Sequence, residues 1–540
     1  MDKERKLTKI DLIIITVLTL SYAIFSLINL GSFTNPNTFI KNNTLSYELS
    51  EETYVENLRY FTGNEFNKFR VYISSDNENF TLLEDTGKYS FSWQDLKIDE
   101  KIKHFKIELE EDSVLGEIAL LNNNKIYKNI RPINKNSKKL VDEQNTVPIK
   151  ISYLNSSYFD EIYFARTAYE YATGEKAYEW VHPPLGKLIM AIPIKLFGMS
   201  PFNYRFMGNL AGILMIPIIY MLGKRLFKKT KYALFPALLL TLDTFHYAHT
   251  RLATIDSFLV LFIMISILFM LDYLSYNKES KKRYIKLFLS GLFFGLSVCT
   301  KWTGMFTGLA LAILFFIDTF KNIKDKRKII NIVFLAGIFF VVIPFVIYIT
   351  LYLCFPNMYY YNTGSLEKII TITQNIYNYH STLDAPHQFY SSWYTWPFML
   401  KPVWYHFDMS GGLKSTISGF GNPIIWWFGT ISMVYLIYKA IKKDKIGMML
   451  LLFYICSLIS YFNISRGMYL YHYFPALIIA YLGSTVLIRD ITEKIKNNCF
   501  YIIVLVLSIL FFIYFFPVVS GRYIDPLTIE NMKWISSWYF

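Results

Sequence analysis

Long apolar runs recur through most of this chain, each sufficient to cross a hydrocarbon layer about 30 Å thick, which takes about 20 helical residues. Eleven are legible, at approximately 10–30, 203–223, 233–249, 255–273, 284–300, 303–320, 330–353, 422–438, 446–462, 469–488 and 500–518. Inside lipid an open backbone has no water to bond, so each run is expected to be helical. The loops supply the second constraint. Lys224, Arg225, Lys228, Lys229 and Lys231 fill one loop, and Lys278, Lys281, Lys282, Arg283 and Lys286 fill or flank the next on that side. Lys321, Lys324, Lys326, Arg327 and Lys328 follow, then Lys439, Lys442, Lys443 and Lys445, then Arg489, Lys494 and Lys496. All five loops fall on the side of Lys3, Arg5, Lys6 and Lys9, and the alternate short loops hold almost no positive charge. The positive-inside rule then predicts a multi-pass cell-membrane protein with a cytoplasmic N-terminus. The C-terminus and the segments 31–202 and 354–421 are expected outside. The net charge of +14 is explained by orientation, so nucleic acid is not an expected partner.

The predicted organisation has four parts. Residues 1–31 form a first transmembrane helix, read as an anchor because no small-residue cleavage site follows its apolar run. Residues 32–140 read as an extracytoplasmic β-sandwich: FRVYISSDNENFTLLEDT and HFKIELEEDSVLGEIALLNN alternate apolar and polar residues between turn formers. The stretch Val71-Tyr72-Ile73-Ser74-Ser75-Asp76, with Phe80, resembles discoidin-like domains, many of which bind carbohydrate. Residues 141–202 are expected to be an extracytoplasmic catalytic loop with short surface helices. Residues 203–540 form the multi-span domain, with an outer loop at 354–421. Cys299, Cys354, Cys456 and Cys499 lack metal-ligand spacing and read as buried hydrophobes, although Cys299 and Cys354 both fall at outer helix ends, where a disulfide would fit.

With the loops oriented, Arg205, Arg251, Lys301 and Arg466 fall at the outer ends of separate spans, with Asp160, Glu161 and Asp256 on the same side. A cation within a span costs about 2.5–3.5 kcal/mol on insertion scales. Any one of the four reads equally as an interfacial anchor. Together they suit one anionic group, such as a lipid phosphate. Asp160-Glu161 precedes a surface helix and taken alone reads as a helix cap. Transfer of a sugar needs a base for the acceptor hydroxyl proton, and a phosphate leaves without a partner acid. His246 and His249 have helix-face spacing but no third ligand, so no metal site is expected.

These residues sit in an ordered series of motifs: Asp160-Glu161; Val181-His182-Pro183-Pro184-Leu185-Gly186-Lys187; Tyr204-Arg205; Arg251-Leu252-Ala253-Thr254-Ile255-Asp256; Lys301-Trp302-Thr303-Gly304; Ser391-Ser392-Trp393-Tyr394-Thr395-Trp396-Pro397; Lys401-Pro402-Val403-Trp404-Tyr405; Gly421-Asn422-Pro423; and Arg466 followed by Tyr471-His472-Tyr473-Phe474-Pro475. The series resembles the protein O-mannosyltransferases (glycosyltransferase family 39) of the GT-C superfamily, over the whole chain except the β insertion. The resemblance implies a GT-C fold, here an all-α polytopic protein of about 11 transmembrane helices with an inserted β-sandwich. It implies inverting transfer of mannose from polyprenyl-phosphate mannose to Ser/Thr hydroxyls of extracytoplasmic proteins, with no cofactor and no metal. Asp160 would be the general base, and Glu161 would orient the acceptor or support the base. Arg205 would contact donor phosphate or sugar, with Arg251, Lys301 and Arg466 as further phosphate candidates. His182, Pro183, Pro184, Asp256 and Trp393 would shape or support the acceptor entrance. The 354–421 loop is too short for the β-trefoil of the eukaryotic enzymes, which points to a bacterial type. Two other readings stand beside this one: a GT-C transferase acting on lipid A, teichoic acid or another envelope glycan, and a flippase for lipid-linked sugars. The second is disfavoured because the halves show no repeat and the ionisable residues gather at one surface rather than at mid-depth.

Overall fold

A computed structural model describes residues 6–540 apart from 42, 65–67, 86–89, 112, 124, 278–279, 359 and 465. Lys3, Arg5 and Lys278, three of the orienting cations, lie outside the described residues. The chain forms two compact units, one of residues 1–28, 179–186 and 208–540, the other of residues 29–178 and 187–207.

The first unit is helical. Among the described residues, eight helices are long and apolar enough to cross a membrane: Lys9–Leu27, Pro201–Phe227, Asp256–Ser275, Lys282–Thr300, Trp302–Asn322, Lys326–Cys354, Pro423–Ile441 and Leu470–Ile495. Lys445–Ile459 and Cys499–Phe515 are shorter apolar helices. Ten of the predicted runs therefore coincide with helices. The run at 233–249 does not stay continuous: it divides into Thr230–Thr241 and Thr244–Thr250. The cause is Asp243, whose carboxylate caps the second piece by accepting from the Phe245 N–H at 3.1 Å. It also accepts from the Asn422 N–H at 2.8 Å, Trp426 Nε1 at 2.8 Å and the Tyr481 hydroxyl at 2.5 Å. Four neutral donors thus satisfy one buried carboxylate.

Close helix contact depends on small residues. A Cβ on Gly291 would meet the Phe339 carbonyl oxygen at 2.5 Å, and one on Gly295 would meet Pro344 at 2.9 Å. This pair, four residues apart, seats Lys282–Thr300 against Lys326–Cys354, where the latter carries a π-helical turn at Ile338–Val342. The other faces of Lys326–Cys354 expose Ile330, Phe334, Val341, Phe345 and Val346, as a lipid-facing helix requires. The segment 354–421 holds a helix, Leu366–Thr382, and two strands not anticipated from sequence. These pair with a third strand, Tyr523–Ile524, in a small antiparallel sheet. All four cysteines are free, so the disulfide considered for Cys299 and Cys354 does not form.

The second unit carries the predicted β insertion. Its strands are β1 (Ile40–Lys41), β2 (Thr44–Thr62), β3 (Phe69–Ser74), β4 (Thr81–Asp85), β5 (Trp93–Leu109), β6 (Val114–Asn122), β7 (Lys125–Tyr127) and β8 (Ile130–Pro132). They join into a single hydrogen-bonded sheet of order β1-β6-β2-β5-β3-β4, with β7 on β6 and β8 on β2. The register of β2 against β5 shifts between Glu48 and Thr53 and again between Val55 and Asn57. Such bulges bend long strands and increase their twist. Val71, Ile73, Phe105 and Ile107, from the alternation read from sequence, share one core with Leu45 and Tyr47 of β2. Tyr47 and Phe105, paired in register, stack at 4.6 Å. In the turn after β3, Asp76 accepts from the Glu78 and Asn79 N–H groups at 2.9 and 2.8 Å. Those backbone donors hold its carboxyl well below the usual range.

Glu117 on β6 is fully buried. Burial, with the nearby charges of Asp142 and Glu143, pushes its pKa from 4.5 to about 8. The folded domain therefore holds a proton that the unfolded chain releases. Its contribution to stability is complete below pH 4.5 and is lost as pH rises through about 8. Hydrogen exchange of the β6 amides at pH 5, 7 and 9 should show protection falling with pH in the native protein. In Glu117→Gln that slope should be flattened.

Candidate active site

In the second unit, the chain turns sharply at Phe159, which takes a left-handed φ of 52°. That conformation costs an aromatic residue about 1–2 kcal/mol and delivers Asp160 to the start of helix Glu161–Thr173. Asp160 is partly exposed and makes no side-chain capping bond, so the capping role considered from sequence is not the one it has. Glu161 next to it is fully buried. It forms a bidentate pair with Arg205, Nε to Oε1 and Nη2 to Oε2, both at 2.7 Å. It also accepts from the Tyr158 N–H at 3.2 Å.

Arg205 has no exposed surface. Besides Glu161, its Nη1 donates to the carbonyls of Leu30 at 3.0 Å and Tyr153 at 2.7 Å, and its Nη2 to Ser156 at 2.9 Å. Every N–H of the guanidinium is thus engaged by protein oxygen. Arg205, expected to contact donor phosphate or sugar, is engaged here in bracing the loop leading into Asp160. The cation is conspicuous in sequence, but the carbonyls that consume it carry no sequence signature.

In the first unit, His182, Pro183, Lys301 and Arg466 line one cavity of about 370 Å³ together with Trp302, Phe306, Tyr377 and His380. Gly186 permits the His-Pro-Pro segment to lie there, because a Cβ at 186 would stand 2.7 Å from Ile255 and 3.1 Å from Thr300. Lys301 ends helix Lys282–Thr300 in an extended conformation. Its Nζ is 2.9 Å from Asp256 Oδ1 and lies over the Tyr471 ring at 5.5 Å. Asp256, the first residue of its helix, therefore steadies a cation. His182 Nδ1 is 2.9 Å from Glu179 Oε1. Pro184 is buried beside Pro183. Arg466 also borders a second cleft of about 350 Å³, lined by Trp393, Tyr390, Tyr394 and Tyr461. Arg251 lines neither cavity. Its Nη1 bonds the carbonyls of Ser26 and Ile28 at the end of the first helix, and the guanidinium lies over the Tyr247 ring at 4.6 Å. A cation on orphan carbonyls at a helix C-terminus is a structural device. His380 was not singled out from sequence, although it borders the first cavity.

The arrangement is cationic, partly apolar and enclosed by aromatic rings, as a site for a lipid-linked phosphate would be. Comparison with known proteins identifies the family. Residues 193–359 match the family described as dolichyl-phosphate-mannose-protein mannosyltransferase, and residues 365–538 match the C-terminal four-transmembrane region of protein O-mannosyltransferase. The chain belongs to the protein O-mannosyltransferase family. A polyprenol-phosphate-mannose–protein mannosyltransferase of Mycolicibacterium smegmatis is 22% identical over 428 residues, 66% of this chain and 82% of that one. The Mycobacterium tuberculosis protein of the same description is 22% identical over 433 residues, 66% of this chain and 81% of that one. In fold, the chain resembles the S. cerevisiae Pmt1–Pmt2 complex solved with its sugar donor. The TM-score is 0.65 at 14% identity, covering 71% of this chain and 89% of that one. The fold is of the GT-C type.

The buried Glu161–Arg205 pair makes the bracing of this loop directly testable. Removing one partner of a buried pair strands the other charge, at a cost of about 3–5 kcal/mol. Arg205→Ala should markedly lower the thermal unfolding midpoint of the detergent-solubilised protein. Arg205→Lys should not restore it, because an ammonium cannot reproduce the planar fork.

Proposed function

We propose that this chain transfers mannose from a polyprenyl-phosphate carrier to Ser or Thr hydroxyls of proteins outside the cytoplasm. The observation that carries this reading is the 370 Å³ cavity in which Lys301 and Arg466 stand among aromatic and apolar side chains. A sugar phosphate on a lipid presents an anion beside hydrocarbon, and this lining is complementary to both. The C1–O bond to phosphate breaks as the acceptor oxygen bonds C1 from the opposite face, inverting it. Asp160 takes the hydroxyl proton. Charge developing on the departing phosphate is met by Lys301 and Arg466, whose attraction strengthens as the bond breaks. Asp256 holds Lys301 in place, and the Glu161–Arg205 pair holds the turn that presents Asp160.

In this reading the phosphate leaves without an acid and no metal is needed. The Trp393 cleft, which meets the larger cavity at Arg466, takes the acceptor, and His182, Pro183 and Pro184 shape the acceptor's approach from the cavity side. The basic loops face the cytoplasm with the N-terminus, and the C-terminus, the Asp160 loop and the β domain face outward. The β domain is read as a discoidin-like sandwich formed by the bending of its one sheet. Membrane lipid is the solvent of the spans and of the donor's prenyl tail.

Asp160→Asn should lower turnover at least ~100-fold, about 2.7 kcal/mol of barrier, while leaving the melting temperature unchanged. Lys301→Ala should raise the KM for donor. The cellular check is glycopeptide mass spectrometry of extracytoplasmic proteins from cells expressing native enzyme or Asp160→Asn at equal membrane levels. Loss of hexose from Ser/Thr peptides in the mutant is expected. Unaltered peptides would reject protein as acceptor or Asp160 as base, and lipid and wall-polymer analysis of the same strains would separate the two.

A further inference from the structure

His380 stands at the end of helix Leu366–Thr382, whose buried face is Ile369, Ile372 and Ile376. The helical repeat puts residue 380 next on that stripe, so an imidazole occupies a place where the pattern would put an aliphatic side chain. Both of its nitrogens are engaged. Nδ1 lies 2.7 Å from Arg466 Nη1, and Nε2 lies 2.8 Å from the Val181 carbonyl oxygen. A guanidinium only donates, so Nδ1 must be the acceptor. The ring proton is then on Nε2, where it donates to Val181. The two bonds therefore select one neutral tautomer. The groups facing the ring are consistent with that state. Burial, then the charges of His182 and Arg466, push its pKa down to about 3, against smaller opposing influences from the Val181 hydrogen bond and Glu179. His182 packs against it edge to face at 5.3 Å and is itself held by Glu179.

We propose that His380 is a positioning residue that holds the Arg466 guanidinium toward the donor phosphate and ties it to the His-Pro-Pro segment through the Val181 carbonyl. The inference rests on the reading of this cavity as the phosphate site. An arginine side chain has many rotamers, and freezing them on each binding event weakens affinity. Arg466 sits in a stretch without regular secondary structure, so no helix or strand sets the direction of its side chain. Among the described residues its hydrogen bond is to His380, through one nitrogen, which leaves the other donors of the fork for phosphate oxygens. Because Val181 directly precedes His182, the same imidazole sets the spacing between the segment bearing the His-Pro-Pro motif and the cation opposite it.

The test uses full-length enzyme in lipid nanodiscs, with polyprenyl-phosphate mannose as donor and a Ser/Thr peptide as acceptor. An Asn amide places its oxygen near the Nδ1 position, and a Gln amide reaches instead the Nε2 position. His380→Asn should therefore remain within about threefold of native. His380→Gln and His380→Phe should raise the donor KM about tenfold, equivalent to roughly 1.4 kcal/mol, with the acceptor KM and the melting temperature unchanged. In an Arg466→Ala background the same substitutions should cost nothing further, because their effect runs through that arginine. Equal losses for Asn and Gln, a parallel rise in acceptor KM, or additive effects with Arg466→Ala would overturn the inference. If Phe does not fold, the Asn and Gln pair still decides. Should Arg466→Ala leave the donor KM unaltered, the phosphate reading of the cavity fails. Should it raise the KM while His380→Gln does not, only the role of His380 fails.

Discussion

A carboxylate and a guanidinium with no exposed surface, Glu161 and Arg205, are the interaction on which the arrangement around Asp160 depends. Burying either alone would be prohibitive, and together they are tolerated only because every remaining N–H finds a carbonyl. Those carbonyls come from Leu30, Tyr153 and Ser156. One side chain thus gathers the chain leaving the first helix, the loop before Phe159 and the start of the following helix. The strained Phe159 turn persists because its surroundings over-determine it. Asp160 stays partly exposed while the residue beside it is sealed in.

The cations of the helical unit show how position divides one residue type among different tasks. Arg251 is consumed by the end of a helix, Lys301 is steadied by Asp256 at a cavity wall, and Arg466 is held by an imidazole between two clefts. A carboxylate partner neutralises its cation, whereas a neutral imidazole orients it and leaves the full charge for a ligand. That difference distinguishes His380 from Asp256 as a support.

The spans were legible because lipid imposes a length and the loops impose a sign, and both are properties of composition along the chain. The β insertion was legible from alternation, but its single bent sheet was not, since bulges in β2 and β5 depend on partners distant in sequence. Asp243 looked like an ordinary residue within an apolar run. Its ability to break that run comes from Asn422, Trp426 and Tyr481, brought near only by folding. The strand pair Val403–Ser410 and Leu413–Gly419 did have a local signal: Gly411 and Gly412 both take positive φ, as a tight hairpin turn demands. At the site, motif order brought Lys301, Arg466 and His182 to notice, and the structure sets them on one cavity, but sequence could not tell a cation facing ligand space from Arg205, held by Glu161 and backbone carbonyls. His380 lay in no motif, and its significance is purely geometric.

The helix Lys326–Cys354 has 29 residues, about 43 Å at 1.5 Å per residue, well beyond the roughly 30 Å of a hydrocarbon core. It can fit only by leaning or by carrying its ends into the headgroups. Its glycine-lined contact with Lys282–Thr300 lies near the π-helical turn, and much of its remaining surface meets lipid. This helix therefore meets the bilayer with length to spare, and bilayer thickness constrains its slant more than its composition does.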